Sequence, residues 1–141
     1  MLDLDSDFGR VVKRHLDEEY FVWLTTVDSK GTPQPRPVWF IWDDDSFLIF
    51  SKPDAYKVRH LENNPRAALN FNTEDKAGEE NVIVLVGDAS FDTTVAPAHQ
   101  IPSYFKKYEA GFQELKLTPE GFSSEYSAAI RIKPTEVRGW E

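Results

Sequence analysis

Apolar positions along the chain change period several times, and each change marks an element. Over residues 6–19, Phe8, Val11, Val12, His15 and Leu16 recur at helical spacing while Arg10, Lys13 and Arg14 face outward. Ser6 or Asp7 stands at the capping position, so the pattern predicts a first helix ending near Glu19. Residues 20–27 are aromatic and β-branched, Asp28, Ser29, Lys30 and Gly31 form a turn signal, and a second extended run covers 33–42. A second turn over Asp43, Asp44, Asp45 and Ser46 precedes a short apolar run at 47–50. Three runs in hairpin succession predict an antiparallel meander and disfavour a parallel sheet.

Pro53 and Asp54 open a short helix over 55–63, in which Tyr56 or Val58 shares a face with Leu61, and Asn64 and Pro65 end it. A fourth strand is expected over 67–71, a mobile polar loop over 72–80, and a fifth strand over 82–91 with Gly87 as a bulge. Helices are expected over 96–110 and 118–125, with Tyr104, Phe105, Tyr108 and Phe112 as one apolar stripe, and a last strand over 126–132. The fold class is mainly β (α+β): a nearly complete antiparallel barrel of six strands with peripheral helices, without repeats or low-complexity segments.

Composition narrows the setting. A chain of 141 residues, 40% hydrophobic and 13% aromatic, is long enough for one core and too short for two ordinary domains, so 1–141 reads as a single domain. A net charge of -8 without any lysine- or arginine-rich run argues against nucleic acid or an anionic membrane as the main partner. The absence of cysteine removes disulfides and thiolate chemistry and suits a reducing compartment. No basic start with an apolar run resembles a signal peptide, and no apolar stretch approaches the roughly 18–20 residues of a membrane span. The expected location is cytoplasmic.

Against this acidic background, residues 51–60 stand out: Ser51, Lys52, Lys57, Arg59 and His60 cluster where a strand ends and a helix begins. Free backbone N–H groups, a serine hydroxyl and cationic side chains together suit a phosphate group. A solvated helix face is the alternative. In the run from Pro33 to Phe40, prolines at 33, 35 and 37 each remove a ladder donor, leaving polar backbone that can meet the edge of a planar ring while Trp39 lies against it. An ordinary edge strand with a core tryptophan is equally open. His15, His60 and His99 have no zinc spacing, the 43–45 aspartates read as a solvated turn, and no serine lies in a nucleophile elbow. No metal site and no catalytic side chain emerges, and the reactive atom of an enzyme built this way belongs to a bound cofactor.

The order of these segments resembles the pyridoxamine 5'-phosphate oxidase-like split-barrel superfamily, and within it the short branch that uses the deazaflavin coenzyme F420. The resemblance is carried by residues 21–26, by Gly31, Pro33, Pro35 and Pro37 with Val38, Trp39 and Phe40, by Lys57, and by Asn64 through Leu69. Val84, Val86, Gly87, Asp88 and Ala89 and the ending from Pro134 to Trp140 match the later strands. It implies a six-stranded split barrel, a homodimer with two equivalent clefts between subunits, and an oxidoreductase passing hydride to a small unsaturated acceptor. By the same resemblance Lys57 contacts the cofactor phosphate, Ser51 is the small hydroxyl residue at the third strand's end, His60 faces the phosphate from the same helix, and Arg36, Pro37, Val38 and Trp39 flank the ring. Ile41 replaces a second phosphate-binding lysine, and Ala55-Tyr56-Lys57 replaces a Ser-Arg-Lys signature, which favours F420 over flavin mononucleotide (FMN). An FMN-dependent oxidoreductase and a non-enzymatic flavin- or tetrapyrrole-binding module are the alternatives. Recognition of the small-molecule substrate, itself unidentified, is expected from 72–80 and 96–112.

Overall fold

The fold, a computed structural model describing residues 2–76 and 79–140, is organised by one antiparallel sheet. Helix α1 (Asp7–Glu18) is capped by the Ser6 hydroxyl, which accepts from the Gly9 N–H at 2.9 Å. Strands β1 (Phe21–Val27) and β2 (Pro33–Trp39) form the expected hairpin, followed by β3 (Ile41–Asp43), β4 (Ser46–Ser51), helix α2 (Tyr56–Asn63) and β5 (Arg66–Asn70). A hairpin of β6 (Glu74–Lys76) and β7 (Glu79–Phe91) comes next. A 3₁₀ turn (Ala98–Gln100), helices α3 (Pro102–Glu114) and α4 (Pro119–Glu125) and the long β8 (Ala128–Trp140) complete the chain. The sheet order is β2-β1-β5-β7-β8-β4-β3, with β6 attached to β7. The curled sheet is the split barrel the sequence leads one to expect, with seven strands along the main path rather than six.

The seventh strand arises because the run 33–42 breaks at Phe40. The Phe40 N–H donates to the Tyr108 hydroxyl at 2.8 Å, and the Phe40 carbonyl accepts from Tyr108 Oη at 2.9 Å and from Lys107 Nζ at 2.8 Å. Side chains of α3 thus take over the backbone groups a continuous strand would have paired. Lys107 lies over the Phe40 ring at 3.8 Å, and burial lowers its ammonium pKa to about 8, against the opposing pull of Glu19 and Asp17.

Three other boundaries differ. The helix expected over 96–110 begins instead at Pro102, since proline holds the preceding Ile101 in extended backbone (φ -91°, ψ 110°) and itself suits a first helical turn. The loop expected over 72–80 contains most of the β6–β7 hairpin, and its residues 77 and 78 lie outside the described residues. The last strand runs to Trp140 rather than ending at Ile132. Pro134 does not stop it because Pro134 sits at a bulge, where Val86 opposes Glu136, Gly87 opposes Pro134, and Thr135 is the extra residue. The Thr135 hydroxyl donates to the Val86 carbonyl at 3.2 Å. A Cβ on Gly87 would lie 2.3 Å from the Lys133 carbonyl oxygen, which explains the glycine at the predicted bulge.

Two apolar layers share β4, whose six residues are all buried. Phe47 and Ile49 point into the barrel with Leu24, Leu69 and Ile130, while Val12 and Leu16 of α1 and Val58 and Leu61 of α2 close it. Leu48 and Phe50 point outward against Tyr104, Tyr108, Phe112 and Phe122 of α3 and α4. The aspartate run is a tight turn: Asp44 and Asp45 both have φ 53°, the left-handed backbone that hairpin turns use, and Asp43 accepts from Arg131 at 2.9 Å. No helix among the described residues is long and apolar enough to cross a membrane.

Candidate functional site

Strand periodicity divides the run 36–39 between two faces. Arg36 and Val38 turn toward the barrel side, Pro37 and Trp39 toward the outer side. On the outer side, α3 and α4 approach β2 and β4 and leave a cleft of about 410 Å³, lined by Pro37, Val38, Trp39, Phe50, Lys57 and Tyr104 and by residues of the α3–α4 pair. The Trp39 ring stacks on Tyr108 at 4.5 Å (interplanar 12°) and on Phe122 at 5.5 Å. Gly111 makes this fit possible, because a Cβ there would come within 2.6 Å of Trp39 and 2.5 Å of the Tyr20 hydroxyl. Phe21 and Leu115, both 46% exposed, flank the cleft, and Glu114 is the carboxylate in its wall. That carboxylate adds to the effect of burial in raising the Tyr20 phenol above its usual range.

Lys57 enters this cleft from the first turn of α2, a helix whose N-cap Ala55 offers no side-chain cap. It is half-buried. Burial lowers its pKa, and the positive charge of Arg36 lowers it further. Arg36 itself lines an adjoining hollow of about 370 Å³ with Asp28, Gln34, Tyr56 and His60. The Arg36 Nε is buried and has no hydrogen-bond partner. Asp28, the nearby carboxylate, is already held by the Thr32 and Lys30 N–H groups, each at 2.9 Å, and by Gln34 Nε2 at 3.1 Å; these bonds, that of Thr32 first, depress its pKa. Among the described residues, neither Arg36 nor Lys57 forms an ion pair. Two neighbouring cations, neither of them engaged in an ion pair, make a place for an anion.

The other predicted site residues fall nearby in different roles. His60 Nδ1 meets the buried Thr26 hydroxyl at 2.8 Å, which orients the ring in the hollow beside Arg36. Ser51 is buried at the end of β4 with its hydroxyl donating to the Lys52 carbonyl at 3.0 Å, and it does not line the cleft. His15 lies inside the barrel beside Phe71, and His99 Nδ1 meets Ser123 Oγ at 2.7 Å. Among the described residues, no group of three His, Asp or Glu side chains is placed to hold a metal ion. Of the 96–112 region, Tyr104 and Gly111 reach the cleft; Glu114, Leu115, Phe122 and Tyr126 join them from beyond it. Those four carry no local sequence signal, because their role depends on how α3 and α4 fold back over β4.

A profile of the pyridoxamine 5'-phosphate oxidase family matches residues 9–141, nearly the whole chain. The chain belongs to that family. No curated protein matches it. Among solved structures, a conserved hypothetical protein of Mycobacterium tuberculosis superposes with a TM-score of 0.77 at 18% identity, over 96% of this chain and 84% of that one. A FAD-binding protein of Mesorhizobium loti gives 0.68 at 15% identity over 93% and 90%. The heme storage protein HutZ of Vibrio cholerae gives 0.64 at 16% identity over 94% of each. At these identities the likeness is one of fold, so within the pyridoxamine 5'-phosphate oxidase family the choice of ligand rests on this chain's own cleft.

Proposed function

We propose that the protein is a cytoplasmic oxidoreductase that holds coenzyme F420 in this cleft and passes hydride to a small unsaturated acceptor. The observation that carries the reading is the uncompensated pair Arg36 and Lys57 beside an apolar cleft walled by Pro37, Val38 and Trp39. A phosphate fits there: it supplies the acceptor the buried Arg36 Nε lacks and the negative charge that Lys57 lacks. His60 and the amino end of α2 lie close enough in the fold to assist. Ile41, where relatives that hold FMN tightly are expected to carry a second lysine, is buried in the outer apolar layer and adds no charge, which supports the deazaflavin over FMN.

When bound, the coenzyme supplies a hydride, while a proton from solvent completes reduction of the acceptor. The chain's own residues anchor the phosphate, wall the ring and exclude water. A homodimer is part of the proposal: Phe21 and Leu115 expose apolar surface at the cleft mouth, which a second subunit would cover. None of the three histidines lines the cleft, so a haem there would find no imidazole ligand from this subunit.

The test is titration of the purified protein with F420 and with FMN, followed by tryptophan fluorescence, with Trp39→Phe as the positional control. Saturable quenching by F420 that weakens in Trp39→Phe is the expected result. Quenching by FMN alone would overturn the deazaflavin assignment, and quenching by neither would overturn the cofactor site.

A further inference from the structure

We propose that Lys107 is a carbonyl-reactive amine, and that the hollow it lines with Asp17, Ser103 and Lys106 takes a small aldehyde bearing a carboxylate, which condenses with Lys107 Nζ to an imine. This hollow shares no lining residue with the cleft, so the inference stands apart from the cofactor reading.

Helical spacing gives α3 two faces. Tyr108 and Gly111 pack on Trp39, whereas Ser103, Lys106 and Lys107 share a different face. That second face lines a hollow of about 420 Å³ opposite Leu16 and Asp17 of α1 and Ile41 and Trp42 of β3. Lys107 is half-buried and its head group is held in place: Nζ donates to the Phe40 carbonyl at 2.8 Å and lies 3.8 Å from the centre of the Phe40 ring. Tyr108 Oη also reaches that carbonyl, at 2.9 Å, so the carbonyl retains a donor when the lysine nitrogen is engaged elsewhere. The fold therefore positions this amine without depending on it.

A lysine attacks a carbonyl only as the neutral amine. Asp17 and Glu19 at the end of α1 favour the ammonium form, Lys106 is the second cation in the lining, and β3 contributes only Ile41 and Trp42. Burial outweighs the two carboxylates and brings the pKa to about 8, so neutral amine is present near physiological pH. The same lining selects the aldehyde. Leu16, Ile41 and Trp42 suit a short carbon skeleton. Asp17 is paired with Lys13, whereas Lys106 is exposed and forms no ion pair among the described residues, so the unbalanced charge is positive and favours a carboxylate. In the step, the Nζ lone pair forms a C–N bond to the aldehyde carbon while the C=O π pair moves onto oxygen. Both protons of the amine end on that oxygen, which leaves as water, so amine and aldehyde give imine and water with no oxidant or reductant. Asp17 is the carboxylate in the lining available to relay those protons.

Reductive trapping on the full chain tests this. Glyoxylate with sodium cyanoborohydride converts an imine to a stable carboxymethyl amine, which peptide mass mapping assigns to a residue. At neutral pH Lys107 should be modified on the order of tenfold faster than Lys30 or Lys106, since its larger neutral fraction outweighs the lower basicity of its amine. Its rate should level off above a pH of about 8 while theirs keep rising. Lys107→Arg, which keeps the charge and the donor to Phe40, should lose the fast adduct and leave the other lysines unchanged. Lys106→Gln should slow trapping of glyoxylate about threefold and leave that of propionaldehyde, which has no carboxylate, unaltered. Equal modification of all lysines, first modification at any other lysine, Lys57 included, or a Lys107 rate that follows the exposed lysines with pH would overturn the reactive amine. Slowing of both aldehydes alike, or of neither, in Lys106→Gln would overturn the carboxylate preference.

Discussion

Replacing Lys57 with alanine isolates the phosphate contact, since two features of the site set the sign and size of the result. In the free protein both burial and the neighbouring Arg36 disfavour the lysine charge, and no ion pair is lost when it is removed. Folding stability should therefore change little. In the complex a hydrogen bond from a charged donor contributes about 1.5–3 kcal/mol. The expected loss is therefore on the order of tenfold to 150-fold in cofactor affinity, with Arg36 still present to hold part of the binding. Because the pKa of Lys57 lies below that of an ordinary lysine, wild-type affinity should also begin to fall at a lower pH on the alkaline side than an unperturbed lysine would give, and this dependence should vanish in Lys57→Ala. The assay is quenching titration at moderate salt, with Lys30→Ala as control: Lys30 lies in the β1–β2 turn and its removal changes net charge equally. Unchanged affinity in Lys57→Ala would refute the contact, and an equal loss in Lys30→Ala would assign the effect to long-range electrostatics.

Three further outcomes test the frame around the site. Tyr108→Phe removes the hydrogen-bond partner of the N–H of the fully buried Phe40 and should lower stability by about 1–3 kcal/mol in urea unfolding. Gly87→Ala sets a Cβ against the Lys133 carbonyl at the bulge and should cost about 1–3 kcal/mol, read as a lower urea midpoint. Asp92 is held down to about 2 by the Thr94 hydroxyl and by Arg131, below its ordinary 3.8. Its contribution is present above pH 3.8 and is lost as pH falls toward 2, so Asp92→Asn should flatten the acid limb of a urea-midpoint profile over that window.

Local signals announced the parts of this fold that depend on neighbours in sequence. Ser6 caps α1, Asp28 organises the first hairpin turn, and Gly87 marks a bulge, each for a reason readable within a few residues. The break at Phe40 was not readable, because the groups that enforce it, Lys107 and Tyr108, lie 67 and 68 residues away in sequence. The continuation of β8 past Pro134 was hidden for a similar reason: the bulge that tolerates the proline is a property of its pairing with Gly87. At the candidate site, Lys57 and the run 36–39 were legible as a basic helix start and an interrupted edge strand. Their division between cleft and hollow needed the alternation of β2 to be mapped onto the barrel. The stripe of Tyr104, Tyr108 and Phe112 was visible as an apolar helix face, but which tyrosine would spend its hydroxyl on the backbone follows only from where α3 docks.

Two buried polar atoms among the described residues stand out on either side of that docking. Buried polar atoms in folded proteins nearly always find partners, and departures gather where function requires them. Here the Arg36 Nε and the Tyr104 Oη both lack one. Arg36 belongs to the barrel side and lines the hollow beside α2, whereas Tyr104 belongs to the outer helical layer that packs on β4. One unmatched group is cationic, the other a neutral donor. A purely structural barrel gains nothing from either group, since Met at 36 and Phe at 104 would fill similar space without the desolvation. These two atoms therefore mark the places among the described residues where packing alone does not account for the choice of side chain.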